Sequence, residues 1–134
     1  MRRDRLSAYE GGGAEYLERQ TPWHLSCDIA VPSATQNEIK IDDAKALAAN
    51  GAKWICEAAN MPTDVQATDH FKETGVTILP AKAVNAGGVA VSGLERTQNA
   101  QYLTWKPEEV DQKLKEIMAN IHQLCVENST DQDN

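Results

Sequence analysis

Three short apolar segments, each followed by a polar loop and then by a helical pattern, constrain the fold of this chain more than any other feature. They span residues 27–31, 53–57 and 76–79. Buried strands have this length and composition, and strands that alternate with helices form parallel sheets with right-handed crossovers. The sequence therefore predicts an α/β fold with about three parallel strands and flanking helices.

Local signals mark the ends of the first two helices. Asp42 and Asp43 offer an N-terminal cap for the first helix. Thr63 and Gln66 have the spacing of a capping box for the second, which is expected to end at Gly75 in the left-handed conformation.

Two further helices follow the third strand. A glycine-rich turn at 85–88 leads into a helix that is expected to continue through Gln101, and Pro107 suits the first turn of a long C-terminal helix. Apolar residues of this last helix recur every three or four positions, which indicates one apolar side: Val110, Leu114, Ile117, Met118, Ile121, Leu124 and Cys125.

The 134 residues, 41% of them hydrophobic, suffice for one modest domain. We expect a charged, helix-like N-terminal segment and linker over 1–26, within which 1–20 carries the helical pattern. An α/β unit over 27–127 and a frayed polar tail over 128–134 complete the expected organisation.

Charge and cysteine content narrow the classes of partner. The net charge is −7 and no run is rich in Lys or Arg, so we expect neither nucleic acid nor a membrane as a partner. No apolar stretch approaches the roughly 20 residues of a membrane span, and the start of the chain does not resemble a signal peptide. Cys27, Cys56 and Cys125 are widely separated, which predicts reduced core residues, no metal site and a cytoplasmic location.

In a parallel sheet, ligands bind at the carboxyl ends of the strands. The loop 32–38 follows the first strand, and its small residues allow a ligand to approach the backbone. Thr35, Gln36 and Asn37 supply hydrogen-bond donors and acceptors there. A polar turn before a helix has the same composition, so the residues alone leave both interpretations open.

The loops after the second and third strands carry further candidates. Asn60 is placed to orient a carboxamide or a ribose hydroxyl, although it equally suits a self-contained turn. Val89 and Ser92 lie three residues apart, hence on one helical face, which suits a substrate with an aliphatic stem and a polar end. Helix-to-helix packing explains the small residues of this segment equally well.

One phosphate-binding signal is missing from the sequence. No GxGxxG motif follows a strand, and the glycines at 11–13 lack both the spacing and a preceding strand. The chain is therefore expected to lack the first half of a dinucleotide-binding fold.

Several ordered segments together resemble a known family. Pro22-Trp23 and the segments CDIAVPSATQNE (27–38), EAANMPT (57–63), NAGGVAVSGLE (85–95) and IMANIHQLC (117–125) are similar to the NADP-linked hexameric glutamate dehydrogenases of the Glu/Leu/Phe/Val dehydrogenase family. The resemblance implies the distal part of a Rossmann-like cofactor domain. It also implies conversion of L-glutamate, NADP and water to 2-oxoglutarate, ammonia and NADPH, without excluding NAD.

The resemblance also implies roles for residues around a cofactor. Ala34, Thr35 and Gln36 would line the cofactor cleft. Asn60 would lie near the nicotinamide ribose, and Asn85 near the nicotinamide itself.

Two residues would bind the substrate if the resemblance holds. Val89 would pack on the aliphatic stem of glutamate, and Ser92 would hydrogen-bond its side-chain carboxylate. A branched or aromatic substrate would offer the Ser92 hydroxyl no partner, so Ser92 favours glutamate over the family's other substrates.

Some features depart from the family pattern. Ala58 replaces a glycine, and its methyl group would crowd the turn if the backbone there requires a positive φ. Ser33 stands where many relatives have cysteine.

The family's catalytic lysine, catalytic aspartate and pyrophosphate loop belong to regions that this chain lacks. We therefore expect no catalytic residue here and an enzyme segment that is inactive alone, whose partners are the rest of a dehydrogenase chain or a homo-oligomer. The alternative is a non-catalytic nucleotide-binding or subunit-interaction module.

Overall fold

The structure, a computed structural model, describes residues 20–129 together with residues 9, 13 and 16–18. The helix-like segment expected over 1–20 and the tail beyond 129 therefore fall largely outside the described residues. In chain order the elements are β1 (Ile29–Ala30), α1 (Ile41–Ala49), β2 (Trp54–Cys56), α2 (Val65–Thr74), β3 (Thr77–Leu79), α3 (Ala81–Val84), α4 (Ala86–Ala100) and α5 (Pro107–Asn128).

The three strands form one parallel sheet in the order β1-β2-β3. Ala30 pairs with Ile55, and Ile55 pairs in turn with Ile78. The predicted α/β fold, with three parallel strands, flanking helices and a long C-terminal helix, is confirmed. The strands are shorter than the apolar segments that predicted them, because the outer residues of each segment lie in loops.

One face of the sheet forms the core with helices α1 and α2. Ala30 and Ile55 are buried together with Leu47 of α1 and Phe71 of α2, and Trp23 of a 3₁₀ turn over Pro22–His24 joins the same cluster. Burying a side chain such as Leu47 or Phe71 stabilises the fold by roughly 1.5–3 kcal/mol.

The opposite face of the sheet is exposed. Ile29 is 54% exposed, Val31 50%, Trp54 40% and Leu79 36%. In the described part of the chain, α4 and α5 pack mainly against each other and against α3. The sheet therefore presents an apolar surface, defined by these four residues, which we call the open face.

The capping box predicted for α2 is wrong. Asp64, not Thr63, is the N-cap, and its Oδ1 accepts a hydrogen bond of 2.8 Å from the N–H of Ala67. Thr63 instead forms a parallel bridge with Ile39, and its buried hydroxyl has no partner. This backbone pairing delays the helix by one residue, so Gln66 is not at the position that a capping box requires.

The other predicted helix ends agree with the structure more closely. Asp43 caps α1 from the third helical position, where it accepts the N–H of Lys40 at 3.0 Å, while Asp42 lies within the first turn. Gly75 ends α2 with φ of +74°, the left-handed conformation that glycine adopts without strain. Pro107 opens α5 as predicted.

Helix α5 is less buried than its apolar spacing predicted. None of its residues is fully buried, and Leu124 and Cys125 are exposed. Cys125 is therefore not a core residue, and Cys27 and Cys56 are only half-buried. The described helices include none with both the length and the apolar character needed to cross a lipid bilayer.

An exposed ion pair links the amino ends of β1 and β2. The Nζ of Lys53 donates to the Oδ1 of Asp28 at 2.8 Å. This hydrogen bond, together with the charge attraction, lowers the pKa of Asp28 and raises that of Lys53. Because both groups are in water, the pair contributes little to stability.

Candidate functional site

The loops that follow the three strands meet at the carboxyl end of the sheet, where they enclose an open cleft of about 540 Å³. All of its lining residues are uncharged: Ser33, Ala34, Ala58, Ala59, Asn60, Asn85 and Val89. The structure thus brings together four of the seven residues singled out in the sequence, which are Ala34, Asn60, Asn85 and Val89.

The first two loops are joined by main-chain hydrogen bonds. The carbonyl oxygen of Pro32 accepts the N–H groups of Ala58 and Ala59 at 3.0 and 3.1 Å. Further along, the N–H of Asn37 donates to the carbonyl of Met61 at 2.9 Å. These bonds fix the relative position of the loops whatever side chains they carry.

Asn85 joins the second and third loops through its side chain. It lies between α3 and α4, and its Nδ2 donates to the carbonyl of Ala59 at 3.0 Å and to the Oδ1 of Asn60 at 3.1 Å. Among the described residues, the Nδ2 of Asn60 and the Oδ1 of Asn85 have no hydrogen-bond partner. The cleft therefore contains one free amide donor and one free amide acceptor.

Two carboxylates that the sequence analysis did not single out also organise these loops. The Oε2 of Glu38 accepts the N–H groups of Ala34 at 2.9 Å and Thr35 at 3.2 Å. The Oε2 of Glu57 accepts the N–H of Ala81 at 3.2 Å, which ties the end of β2 to the start of α3. For Glu38 the signal available in the sequence was its position three or four residues after a run of small residues, whereas Glu57 follows the apolar strand β2 and had no such signal.

Thr35, Gln36 and Ser92 are the candidates that do not line the cleft. Thr35 and Gln36 are exposed beyond Ala34 on the first loop. Ser92 is exposed on α4, about one helical turn after Val89, and its Oγ donates to the carbonyl of Gly88 at 3.2 Å. Val89 itself is 72% exposed.

The alanine at position 58 does not strain its turn. The described non-glycine residues with positive φ are Asn37, Met61 and Tyr102, so Ala58 has an ordinary backbone conformation. Ala58 lines the cleft without the conflict that a left-handed turn would have caused. The condition under which alanine would crowd this turn is therefore absent.

The titratable groups give the cleft no nucleophile or metal centre. Burial raises the pKa of the Cys56 thiol, which keeps it protonated and unreactive near neutral pH. Across residues 20–129 and the few described before them, no group of three or more His, Cys, Asp or Glu side chains could hold a metal ion.

The similar proteins are named as glutamate dehydrogenases. The NADP-specific glutamate dehydrogenase of Salmonella typhimurium is 57% identical over 115 residues, which is 86% of this chain and 26% of the relative. The NAD(P)-specific glutamate dehydrogenase of Xylanibacter ruminicola is 47% identical over 134 residues, covering 99% of this chain and 30% of the relative.

A solved structure supports the same relationship. Glutamate dehydrogenase from Plasmodium falciparum matches with a TM-score of 0.78 and 49% identity, over 85% of this chain and 24% of that one. This chain therefore spans about a quarter to a third of the length of these relatives. The sequence pattern of the glutamate/leucine/phenylalanine/valine dehydrogenases matches residues 1–134. The chain belongs to the glutamate/leucine/phenylalanine/valine dehydrogenase family.

Proposed function

We propose that this chain forms the part of an NADP-linked glutamate dehydrogenase that binds the nicotinamide end of the cofactor and the substrate. The complete enzyme interconverts L-glutamate, water and NADP⁺ with 2-oxoglutarate, ammonium, NADPH and a proton. The observation that carries the proposal is the convergence of Ala34, Asn60, Asn85 and Val89 on one uncharged cleft at the carboxyl end of the sheet. NAD is the alternative cofactor, as the name of the Xylanibacter ruminicola relative suggests.

The chemistry of the cleft suits a nicotinamide and its ribose. The lining contains no Lys or Arg, so it offers no charge to a phosphate group. The free Nδ2 of Asn60 and the free Oδ1 of Asn85 match the acceptor and the donor of a carboxamide. Either amide can also bind a ribose hydroxyl. We assign Asn60 to the ribose side and Asn85 to the nicotinamide, as the resemblance to the glutamate dehydrogenases implies.

A bound nicotinamide would supply hydride-transfer chemistry at the α-carbon of the amino acid. The chain's own residues act by orientation. Asn85 holds Asn60 in place, so both amides are already fixed before a ligand arrives. In the first loop the small side chain of Ala34 allows close approach, with Thr35 and Gln36 continuing the cofactor cleft beyond it.

The first half of α4 offers the two kinds of contact that the side chain of glutamate requires. Val89, a helical turn after Asn85, packs on the aliphatic stem. Ser92 then donates from its hydroxyl to the side-chain carboxylate, exchanging its weak bond to the Gly88 carbonyl for a charge-assisted one. A branched or aromatic amino acid leaves this hydroxyl unpaired, which favours glutamate.

We further propose that the activity requires the remainder of a dehydrogenase chain and further copies in an oligomer. The open face of the sheet supports this proposal, since apolar surfaces of this kind are normally covered by other protein segments. Three unpaired cysteines favour a cytoplasmic location.

A segment exchange tests the proposal. The matching segment of the Salmonella typhimurium relative is replaced by this chain, and NADPH oxidation is measured with 2-oxoglutarate and ammonium. We expect turnover within roughly tenfold of the parent enzyme, since the proposed binding residues are all supplied by the exchanged segment.

Two variants of this chimera test whether its turnover depends on Asn85. Asn85→Ala should lower kcat/KM, because it removes the link between the second and third loops. Asn99→Ala, at the exposed end of α4, should leave the kinetics unchanged. A chimera that unfolds cooperatively and assembles like its parent, yet shows no turnover, would overturn the proposal.

A further inference from the structure

We propose that Glu38 is a positioning residue, whose carboxylate holds the first loop in the shape that fits the cofactor. The inference rests on the proposed function, because it assigns a task to the loop that lines the cofactor cleft. It concerns a side chain that itself lies outside the lining of that cleft.

The backbone on both sides of Glu38 is anchored to the second loop. The N–H of Asn37 donates to the carbonyl of Met61, and the N–H of Ile39 donates to the carbonyl of Pro62, both at 2.9 Å. Ile39 is also completely buried. The half-buried side chain of Glu38 therefore extends from a fixed stretch of backbone. It loses little conformational entropy when it forms hydrogen bonds.

The Glu38 carboxylate binds the exposed part of the loop. One oxygen, Oε2, accepts the N–H groups of both Ala34 and Thr35. Charge-assisted bonds of this kind are about twice as strong as neutral ones. Ala34 and Thr35 are themselves exposed, so without these bonds the loop between the Pro32 anchor and the Asn37 anchor loses its main internal constraint.

The same arrangement decides which part of a cofactor this loop accepts. Because Glu38 occupies the N–H groups of Ala34 and Thr35, these two donors are not available to a ligand. A negative charge also stands directly behind the loop. Both features disfavour a phosphate and favour a part of the cofactor without negative charge, such as the nicotinamide or its ribose.

A matched control is available in the same chain. Glu109 makes the same kind of bond, in which its Oε2 accepts the N–H of Lys106 at 2.8 Å. It lies in the first turn of α5 and does not line the cleft. Glu109→Ala therefore removes the same chemical interaction without touching the cofactor loop.

The test uses the complete chimeric dehydrogenase described above. Glu38→Ala should raise the KM for NADPH by roughly tenfold, the size expected from losing a bond to a charged group, while the KM for 2-oxoglutarate changes by less than about twofold. Glu38→Gln, which keeps an acceptor oxygen, should recover most of the NADPH affinity. Glu109→Ala should leave both KM values unchanged.

A second readout on the 134-residue chain is independent of cofactor. In NMR spectra the amide protons of Ala34 and Thr35 should move upfield in Glu38→Ala and return partly in Glu38→Gln. Unmoved amide signals, or a KM for NADPH that rises equally in Glu109→Ala, would overturn the positioning role. If the unmutated chimera folds but shows no turnover, the proposed function fails, and the NMR result alone then decides whether Glu38 shapes the loop.

Discussion

Asn85 shows how one residue can determine the geometry of a candidate ligand site. A single amide nitrogen bonds both the main chain and the side chain of the neighbouring loop, at Ala59 and Asn60. Removing the Asn85 side chain would leave the Oδ1 of Asn60 free to rotate away. At the scale of residues, the cleft therefore depends on a few side chains that bind other protein groups as well as the proposed ligand.

Ser92 provides the most direct test of substrate recognition. In the complete enzyme, Ser92→Ala should raise the glutamate KM or lower kcat/KM by an amount equivalent to roughly 1–3 kcal/mol, because the substrate carboxylate loses a donor. Steady-state kinetics with glutamate, together with NADPH titration, measure the effect, and cofactor affinity should not change.

The same helix contains a control for Ser92. Thr97 donates its hydroxyl to the carbonyl of Gly93 at 3.0 Å, just as Ser92 donates to Gly88. Thr97→Ala should leave glutamate kinetics unaltered. Equal effects of the two substitutions, or none from Ser92→Ala, would contradict a contact between Ser92 and substrate.

Two glycines provide opposite predictions for stability. Gly75→Ala should destabilise the chain by about 1–2 kcal/mol, because φ is +74° there although nothing lies within 4 Å of the added Cβ. Gly93→Ala, in the middle of α4 and equally open, should stabilise it by up to about 1 kcal/mol. Urea unfolding measures both, and shifts of the same sign would contradict the backbone argument.

Sequence reasoning predicted part of the cleft at this scale. Asn60 and Asn85 follow neighbouring strands, and the geometry of parallel sheets brings such residues to one edge. The spacing of Glu38 from Ala34 and Thr35 is visible in the sequence, but its bonds also require a turn in which Asn37 adopts φ of +53°, and this turn was not predicted. Only the folded loop brings that carboxylate back onto Ala34.

At the scale of elements, the helix ends depend on how the chain enters them. The parallel bridge between Ile39 and Thr63 places Thr63 in extended structure and leaves Asp64 to cap α2. A capping pattern in sequence thus competes with backbone pairing to a distant segment. Gly75 faces no such competition, which explains why its helix-ending conformation was predictable.

The cap of α2 can be tested directly. Asp64→Ala should cost about 1 kcal/mol of the free energy of unfolding, since the N–H of Ala67 loses its acceptor. Gln66→Ala, which alters the residue of the wrongly predicted capping box, should change stability by less than about 0.5 kcal/mol. Chemical denaturation compares them, and a larger loss from Gln66→Ala would restore the capping box.

The limits of periodicity are clearest in α5. Its apolar residues recur at helical spacing, yet none is fully buried, because within the described chain α5 packs mainly against α3 and α4. Spacing predicts which side of a helix is apolar. It does not reveal whether enough neighbouring structure is present to cover that side.

At the scale of the whole molecule, the dominant feature is a sheet with one covered and one uncovered face. Helices α1 and α2 cover the face that carries Ile55, whereas the open face keeps Ile29 and Trp54 in water. Exposed apolar sheet surfaces promote association. The isolated chain should therefore associate as its concentration rises.

A charge on the open face should reduce this association. Val31→Lys places an ammonium group there and should shift the sedimentation distribution towards the monomer. Val126→Lys, on α5, is a matched control because Val126 is 53% exposed and Val31 is 50% exposed. If both variants associate as strongly as the unmodified chain, the open face is not the contact surface.

The Pro32 carbonyl, with its bonds to Ala58 and Ala59, has a consequence for how such enzymes diverge. A framework tied through main-chain atoms keeps its shape when neighbouring side chains are replaced. With Val89 and Ser92 in their proposed roles, substrate preference can be exchanged at these positions on α4 while the scaffold stays constant. One main-chain framework can in this way serve glutamate, leucine, phenylalanine and valine, the four amino acids for which the family is named.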